Sequence, residues 1–445
     1  RPPGDKSVSH RALLFAAAAR GTSRIRGLAP GADVAATRRA LAALGVAVAD
    51  EGGASFEERG ASGEEDGGAR RVVVVRGAGW AALDRAADAA PLEIDCANSG
   101  TSARLLLGLL AGTRGRFLLR GDASLSARPM ARVAAPLRAF GARIEERPTL
   151  PLLVDGAALR GASVATGAAS AQVKSALILA ALQARGASVV VEPAPTRDHT
   201  ERLLAAMGAP LRAAGTRIEI DGGRPDLAPL DLDVPGDPSS AAYAAALAAL
   251  DGAGDLVVED ALLSPRRTGF YRLLAAMGAD VELRVARAAP EEVGTIVVRG
   301  GRPLRGVDVA GQDVVDAVDE LPLLAVVAAQ ARGTTTIRGA AELRVKESDR
   351  IAATVRLLRA FGARAEELPD GLVVEGPAAL RGAAADAGGD HRLAMCAAVA
   401  AARASGPSLL RGGEWVRISY PSFFADLDRL TGGAAGRARG ERGGR

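Results

Sequence analysis

The stretch PGDKSVSHRALLFAAAARGTS, close to the start of the chain, holds a group of side chains suited to binding an anion. A tight turn leads into an alanine- and leucine-rich helix that is predicted to end at Gly21 and that opens with Lys6, Ser7, His10 and Arg11. The first backbone N–H groups of a helix lack partners within the helix, and this end carries partial positive charge. Together with the cationic and hydroxyl groups, this predicts a site for a phosphate or carboxylate.

The same pattern occurs at two further predicted helix starts. CANSGTSARLLLGLL supplies Asn98, Gly100 and Thr101, and ASAQVKSALILAAL supplies Ser170 and Gln172. At any single helix, ordinary N-capping is the favoured interpretation by about two to one. Because the pattern recurs, with lysine or arginine attached at several starts, we favour an anionic ligand shared between helices.

Three more stretches carry residues of the same kind. GDASLSARPMARV, PTRDHTERLL and ELRVKESDRIAAT supply Arg128, then Thr196, Arg197 and His199, then Arg344, Lys346, Glu347 and Arg350. A solvated charged face is the common alternative for the last of these. Only three of the 56 lysines and arginines are lysines, namely Lys6, Lys174 and Lys346. In so arginine-rich a chain, a lysine indicates a place that needs a compact ammonium group.

Six similar units must position these residues. Each reads as helix, strand, helix, strand, strand, and the first helices begin near Ser7, Asn98, Ser170, Pro238, Asp319 and His391. Glycine ends the helices. PGDKS at Pro2 is echoed by PGDPSS at Pro235, which predicts a duplication into two α/β domains of three units each. The predicted domains are residues 7–232 and residues 1–6 plus 233–432, with an acidic glycine-rich loop after Glu51 and a disordered tail at 433–445.

Composition excludes several classes of protein. A net charge of +4 with 3% aromatic residues gives little support for nucleic-acid binding. Cys96 and Cys396 form neither a disulfide framework nor a zinc motif. With no apolar run long enough to cross a bilayer and no leader pattern, the sequence favours a cytoplasmic protein that does not bind membranes.

Eight motifs in order carry a resemblance to a known family: PGDKSVSHRA, NSGTSARLL, GDASLSARPM, SAQVKSALILA, RDHTE, DELPLLAVVAA, RVKESDR and DHRLAMCAA. On these motifs the chain resembles the enolpyruvyl transferases, most closely the EPSP synthase branch. The resemblance implies two domains, each of three βαβαββ repeats in an inside-out α/β barrel, with the active site in the cleft between them. It implies a monomer that moves the carboxyvinyl group of phosphoenolpyruvate to the 5-hydroxyl of shikimate 3-phosphate, releasing phosphate, on the way to chorismate and aromatic amino acids. No metal or organic cofactor is implied.

The resemblance also assigns residues. Those expected to bind shikimate 3-phosphate are Lys6, Ser7, Arg11, Ser170, Ala171, Gln172, Thr196, Arg197, Asp319 and Lys346. Those expected to bind phosphoenolpyruvate are Lys6, Asn98, Gly100, Thr101, Arg128, Gln172, Arg350 and Arg392. Asp319 and Glu347 are expected to carry the proton transfers, with Lys6 as a further candidate, and which carboxylate acts at each step stays open. His391 is expected to be a positioning or structural group rather than a base.

The chain departs from the family pattern at two places. Ile418 stands where some relatives have a lysine, so either Arg417 replaces that lysine or the contact is absent. Thr196 and His199 stand where relatives often have serine and tyrosine. Gly100 implies an uncrowded phosphoenolpyruvate pocket and hence sensitivity to glyphosate. We also expect the two domains to be open until the first ligand binds.

Two other functions compete with this interpretation. The sister transferase that acts on UDP-N-acetylglucosamine uses a cysteine-bearing loop as its acid, and neither Cys96 nor Cys396 lies in such a loop. A non-catalytic phosphometabolite sensor would need the anion sites but not the acid–base pair, so the presence of both Asp319 and Glu347 disfavours it.

Overall fold

The computed structural model describes residues 1–51, 71–86 and 89–432. The predicted acidic loop falls almost entirely outside the described residues, as does the tail at 433–445. The helices of the first part of the chain are α1 (Lys6–Ala18), α2 (Ala32–Ala43), α3 (Gly100–Ala111), α4 (Ala123–Ser126), α5 (Ala131–Arg138), α6 (Ala171–Gln183) and α7 (His199–Ala206). Those of the second part are α8 (Pro238–Leu250), α9 (Gly269–Ala276), α10 (Gln312–Ala317), α11 (Leu321–Ala328), α12 (Arg350–Ala360), α13 (His391–Arg403) and α14 (Phe423–Leu430). Short 3₁₀ helices span Trp80–Leu83, Ala341–Val345 and Gly413–Ile418.

Strands follow the helices in the predicted order. In the first part they are β1 (Arg20–Arg26), β2 (Ala47–Asp50), β3 (Val72–Ala78), β4 (Leu92–Asp95), β5 (Arg116–Arg120), β6 (Arg143–Ile144), β7 (Leu152–Asp155), β8 (Ser163–Ala165), β9 (Ala187–Val191), β10 (Leu211–Ala214), β11 (Arg217–Asp221) and β12 (Asp231–Asp233). In the second they are β13 (Asp255–Leu262), β14 (Asp280–Arg287), β15 (Val293–Arg299), β16 (Asp308–Val309), β17 (Gly333–Ile337), β18 (Arg364–Leu368), β19 (Gly371–Gly376), β20 (Ala384–Asp386) and β21 (Leu409–Arg411).

The described strands form one small sheet for each predicted unit. The orders are β12-β1-β3-β2, β4-β5-β7-β6, β10-β11-β9-β8, β13-β15-β14, β16-β17-β19-β18 and β20-β21. The pairs β1–β12, β4–β5, β8–β9, β16–β17 and β20–β21 are parallel, and the remaining pairs are antiparallel. This recurrence confirms the predicted repeat and the α/β fold class.

The first helix of each unit is buried almost all round, which explains its composition. Alanine and leucine favour the helix and fill a close-packed interior. In α3, Gly108 lies so close to α6 that an added Cβ would sit 2.1 Å from the carbonyl oxygen of Ala176. This close approach brings the N-termini of α3 and α6 side by side.

Two hydrophobic cores divide the molecule. One is built from residues between Val8 and Val234 together with Leu262, and the other from residues between Ala241 and Leu427. We call the parts around these cores the first half and the second half. The division predicted at residues 232 and 233 stays a prediction. Within the described part of the chain, no helix has both the length and the apolar character needed to cross a bilayer.

The chain passes between the halves at two adjacent segments, 2–5 and 234–237. Gly4 pairs with Gly236 in an antiparallel bridge. Asp5 donates its backbone N–H to the Pro235 carbonyl at 2.7 Å, and Asp237 donates to the Pro3 carbonyl at 2.8 Å. The two copies of the PGD motif therefore lie together where the halves join.

Candidate active site

The helix starts of the first half face the second half across a cleft lined with charged groups. Among the described residues, the ion pairs that cross this cleft include Arg197–Asp319 at 2.7 Å, Arg128–Glu347 at 3.2 Å and Arg132–Glu342 at 2.8 Å. In each pair the first half supplies the arginine and the second half supplies the carboxylate. The structure therefore has the halves closed on each other, and the expected opening before ligand binding stays a prediction.

Asp319 is the centre of one cluster. Besides Arg197, its carboxylate lies 3.5 Å from the Arg350 guanidinium, 3.7 Å from Arg392 and 3.8 Å from the Lys346 ammonium. Burial on its own raises the pKa of Asp319, but these cations outweigh it and hold the pKa well below the usual range. Asp319 is therefore ionised at neutral pH in this arrangement.

Glu347 is the centre of a second cluster. Its two carboxylate oxygens accept hydrogen bonds from Arg350 at 2.6 Å and from Arg128 at 3.2 Å. Here too burial opposes ionisation, but Arg350 and Arg128 hold the pKa of Glu347 well below its ordinary value. The adjacent Lys346 shows the opposite balance, because burial lowers the pKa of its ammonium and Asp319 only partly offsets this.

Arg128 joins the loop before α5 to the start of α3. It donates to the Asn98 side-chain oxygen at 2.8 Å and to the Ser124 hydroxyl at 3.3 Å. A Cβ added at Gly100 would lie 2.9 Å from the Arg104 guanidinium and 3.2 Å from that of Arg128. Glycine at this position therefore leaves room for both guanidinium groups over the helix start.

The starts of α3 and α6 are linked by a chain of hydrogen bonds. Arg104 donates to the Gln172 side-chain oxygen at 2.6 Å, and Gln172 in turn donates to the Thr101 hydroxyl at 2.8 Å. Burial, with Arg132 and Arg128 nearby, lowers the pKa of Arg104 to about 10, so this guanidinium is still charged at neutral pH. Ser170 caps α6 by accepting from the Val173 backbone N–H.

Lys6 lies at the first position of α1, after the capping residue Asp5. Its ammonium pairs with Asp33 at 3.0 Å, and its positive charge contributes to lowering the pKa values of Glu347 and His391. Asp33 is a residue that the sequence did not single out, because nothing in its local context marks it as a partner of a lysine 27 positions earlier.

The starts of α12 and α13 supply the cations of the second half. The Arg350 side chain is 1% exposed and donates to Asp390 at 2.7 Å, while Arg392 donates to Glu320 at 3.3 Å. Asp390 also caps α13. It was missed because its partner is 40 residues away, although the motif DHRLAMCAA contains it.

His391 is buried in the same region. Neither of its ring nitrogens has a hydrogen-bond partner among the described residues. Burial and the charge of Lys6 lower the pKa of His391 to about 3, so the imidazole is neutral. A ring with so low a pKa is a weak base, and the expected positioning or structural role of His391 stays a prediction.

Some side chains that were expected to bind ligand instead form hydrogen bonds within the first half. The Arg11 guanidinium donates to Thr200 and Ser175 at 2.7 Å each and to the Ser7 carbonyl at 3.0 Å. The Thr196 hydroxyl donates to Glu192. Both side chains are buried. Ser7, Ala171 and Arg197 are partly exposed by comparison. Ligand binding by Arg11 and Thr196 stays a prediction.

A cavity of about 670 Å³ opens at the Glu347 side of the cleft. Asn98, Arg128, Lys346, Glu347 and Trp415 are among its lining residues. Arg417, the candidate replacement for a lysine, is exposed, and Ile418 is buried beside it. Arg417 is not among the residues that line this cavity.

Comparisons with known proteins agree with the motifs. The family model described as EPSP synthase (3-phosphoshikimate 1-carboxyvinyltransferase) matches residues 1–83 and 81–427. The chain belongs to the EPSP synthase family. A 3-phosphoshikimate 1-carboxyvinyltransferase of Synechococcus sp. (strain WH7803) is 46% identical over 438 residues, covering 97% of this chain and 95% of the relative. The enzyme of the same name from Limosilactobacillus fermentum is 46% identical over 437 residues, with the same coverage.

Solved structures give the same result for the fold. EPSP synthase from Acinetobacter baumannii superposes with a TM-score of 0.80 at 38% identity, covering 96% of this chain and 94% of that one. The enolpyruvyl transferase NikO from Streptomyces tendae gives a TM-score of 0.73 at 20% identity, with 97% and 94% coverage. The likeness to NikO shows a shared fold alone. The likeness to the Acinetobacter baumannii enzyme agrees with membership of the EPSP synthase family.

The two cysteines bear on the competing function as a UDP-N-acetylglucosamine transferase. Both cysteines are buried free thiols, and burial raises the pKa of Cys96 to about 12 and raises that of Cys396 further. Neither thiol is placed to act as the acid that the UDP-N-acetylglucosamine enzyme requires. Among the described residues, no group of histidine, cysteine and carboxylate side chains is arranged to hold a metal ion.

Proposed function

We propose that the charged cleft is where this EPSP synthase transfers the carboxyvinyl group of phosphoenolpyruvate to the 5-hydroxyl of shikimate 3-phosphate, releasing phosphate. The observation that carries the proposal is the pairing of Asp319 and Glu347 with Arg197 and Arg128 across the cleft. Two carboxylates within a ring of cations suit a reaction between two multiply negative substrates that also requires proton transfer.

The residue assignments that follow from the family are part of the same proposal. Shikimate 3-phosphate binds at the starts of α1 and α6 and at the loop before α7, with Asp319 and Lys346 at its reacting side. Phosphoenolpyruvate binds between the start of α3 and Arg128 on one side and Arg350 and Arg392 on the other. Arginine is suited to this task because its planar fork pairs bidentately with carboxylate and phosphate.

The substrates themselves change the charge balance in the cleft. Arg197, Arg128 and Arg350 now neutralise Asp319 and Glu347, and these same guanidinium groups pair with the incoming phosphates and carboxylates. Each cation that turns to a substrate weakens its hold on a carboxylate, and the pKa of that carboxylate rises. The acid–base pair therefore becomes able to exchange protons when the substrates are in place.

The reaction then proceeds in two steps. In the addition, the 5-hydroxyl oxygen bonds to C2 of phosphoenolpyruvate, C3 gains a proton and the hydroxyl proton passes to an enzyme base. In the elimination, the C2–O bond to phosphate breaks as the C3 methyl group loses a proton. We propose that Asp319 and Glu347 share these transfers and that Lys6 stabilises the departing phosphate.

The decisive experiment measures phosphate release from phosphoenolpyruvate by the purified chain. Release that requires shikimate 3-phosphate and is abolished in Glu347→Gln supports the proposal. Release that requires UDP-N-acetylglucosamine instead identifies the sister activity. Binding of shikimate 3-phosphate without any release identifies a non-catalytic sensor.

We also propose that the enzyme is a cytoplasmic monomer, in line with its sequence. Its two buried free cysteines fit a reducing compartment. Sedimentation at micromolar concentration tests the monomer, because a dimer would sediment at twice the chain mass of 45.1 kDa.

A further inference from the structure

Lys174 is the one lysine that the proposed reaction leaves without a task. It lies in the first turn of α6, and its side chain is 1% exposed. Its ammonium contacts Glu201 at 2.7 Å, Glu192 at 3.0 Å and the Thr196 carbonyl oxygen at 3.5 Å. An ammonium group has three donors, and each of them has an acceptor here.

These contacts enclose one loop, residues 192–198. Glu192 follows the end of β9, and Glu201 lies in the first turn of α7, so the ammonium binds the loop at both ends. Glu192 also accepts hydrogen bonds from the backbone N–H and the hydroxyl of Thr196. The loop is thereby folded back onto the Glu192 carboxylate, which Lys174 neutralises.

The loop carries Arg197, whose guanidinium reaches Asp319 across the cleft at 2.7 Å. A second contact from the other half, Gln312 donating to the Pro195 carbonyl at 3.0 Å, touches the same loop. The position of this loop therefore sets where Arg197 meets Asp319 and the substrate.

Charge explains why a cation is needed at this point. Glu192 and Glu201 are both buried, and Lys174 is the cation that contacts both carboxylates. The nearby Arg11 attracts Glu201 but does not contact Glu192. Like charges in the interior repel strongly, and loop 192–198 is the segment between the two carboxylates that their repulsion would displace. A compact ammonium fits three converging acceptors where a planar guanidinium would not.

We infer that Lys174 is a positioning residue for shikimate 3-phosphate, acting through loop 192–198 on Arg197. The inference rests on the proposed function, because it assumes that Arg197 binds this substrate. A lysine that only stabilised the fold would affect both substrates alike. A lysine that positions this loop affects shikimate 3-phosphate selectively.

The test is steady-state kinetics of Lys174→Met, which keeps the length of the side chain and removes its charge. We expect the KM for shikimate 3-phosphate to rise at least tenfold. The KM for phosphoenolpyruvate, measured at saturating shikimate 3-phosphate, should change less than threefold, as should kcat. Equal losses for both substrates, or an unchanged KM for shikimate 3-phosphate, would overturn the inference.

A matched control separates positioning from stability. Arg224→Met removes a partly buried ion pair with Asp84 at 2.9 Å in the same half, and neither residue is part of the proposed site. We expect this variant to lower the melting temperature while leaving the KM for shikimate 3-phosphate within twofold of the parent enzyme. A tenfold rise in this variant would show that loss of stability alone produces the effect.

A double-mutant cycle tests the route through Arg197. In the Arg197→Gln background, adding Lys174→Met should raise the KM for shikimate 3-phosphate less than twofold, and a further tenfold rise would contradict the proposed route.

A second variant keeps the inference testable if Lys174→Met does not fold. Glu192→Gln should raise the KM for shikimate 3-phosphate three- to fivefold, and an unchanged KM would overturn the inference. Absence of phosphate release by the parent enzyme refutes the proposed function instead, so the two failures are distinguishable.

Discussion

The two copies of the PGD motif build the same helix start with different chemistry. Asp5 caps α1 and Asp237 caps α8, each accepting from a backbone N–H, and both helices are 13 residues long. α1 then continues with Lys6, but α8 continues with Pro238. Both halves therefore have the same capped helix start, while the cation at the first helical position is present in only one.

A buried arginine connects the two copies. Arg267 donates to Asp5 at 2.6 Å and to Asp237 at 2.7 Å, and all three side chains are less than 10% exposed. The α8 start thus anchors the α1 start, at which Lys6 and Ser7 lie. The comparison predicts that one copy of the motif carries the chemistry and that the other supports it.

The largest expected effect is a difference in activity between variants at the start of α1 and variants at the start of α8. Lys6→Met should lower kcat/KM by about 10²–10³-fold, the usual loss when a group that stabilises transition-state charge is removed. Ser239→Ala, in the first turn of α8, should change it less than twofold. The Ser239 hydroxyl is buried and has no hydrogen-bond partner among the described residues. Phosphate-release kinetics measure both, and similar losses in the two variants would contradict the division of roles.

The next effect concerns the anchor itself. Arg267→Met should lower the free energy of unfolding by about 3–5 kcal/mol, because it leaves two buried carboxylates without their cation. Arg116→Met, which removes a pair with Asp155 at 3.1 Å in which both side chains are more than 40% exposed, should cost about 1 kcal/mol or less. Urea unfolding measures both, and equal costs would show that Arg267 is not a special anchor.

A smaller effect distinguishes the two caps by pH. Burial raises the pKa of Asp5, but Arg267, His199 and the hydrogen bond from the Val8 backbone N–H together more than offset this, and the net shift is downward. By contrast, burial and Asp5 together raise the pKa of Asp237. The lowered pKa gives stability that is present above pH 3.8, the unfolded value, and is lost as the pH falls below it. The raised pKa of Asp237 has the opposite effect: it gives stability that is present below pH 3.8 and is lost as the pH rises.

Unfolding measured between pH 3 and 6 tests this difference. Asp5→Asn should flatten the loss of stability on acidification, and Asp237→Asn should steepen it. Changes of about 1–2 kcal/mol are expected across the range, since one pKa unit corresponds to about 1.4 kcal/mol. Curves that change in the same direction for both variants would contradict the assignment.

The smallest effect concerns a third helix start, that of α3. Gly100→Ala should raise the KM for phosphoenolpyruvate about tenfold, or about 1.4 kcal/mol. Its Cβ would lie 2.9 Å from the Arg104 guanidinium and 3.2 Å from that of Arg128, so both groups must shift. Inhibition by glyphosate should weaken in parallel. An unchanged KM would show that the two arginines can move without affecting the substrate.

The sequence predicted the repeats well because their signals are local. Glycine ends, small-residue helices and alternating strands recur six times, and the structure begins the first helices of the units within two residues of the predicted positions. Asp319 and Glu347 were predicted from motifs and lie among cations from both halves. These predictions depended on neighbours in the chain or on the family.

Partners distant in the chain could not be predicted in this way. Arg132 and Glu342 pair across 210 positions, and Arg267 reaches Asp5 across 262. Such contacts arise from how the halves close, which leaves no periodic trace in sequence. Some partners close in the chain could not be predicted either. The hydroxyl of Thr196 donates to Glu192, four residues earlier, because of a loop conformation that the residue types do not reveal.

The paired segments at 2–5 and 234–237 restrict how the halves can move. A single connection would allow one half to swivel in any direction, whereas two connections held side by side by hydrogen bonds leave bending about one axis as the easy motion. We expect any opening and closing of the halves to follow the same arc. Each arginine of the first half that pairs across the cleft would then return to the same carboxylate of the second half.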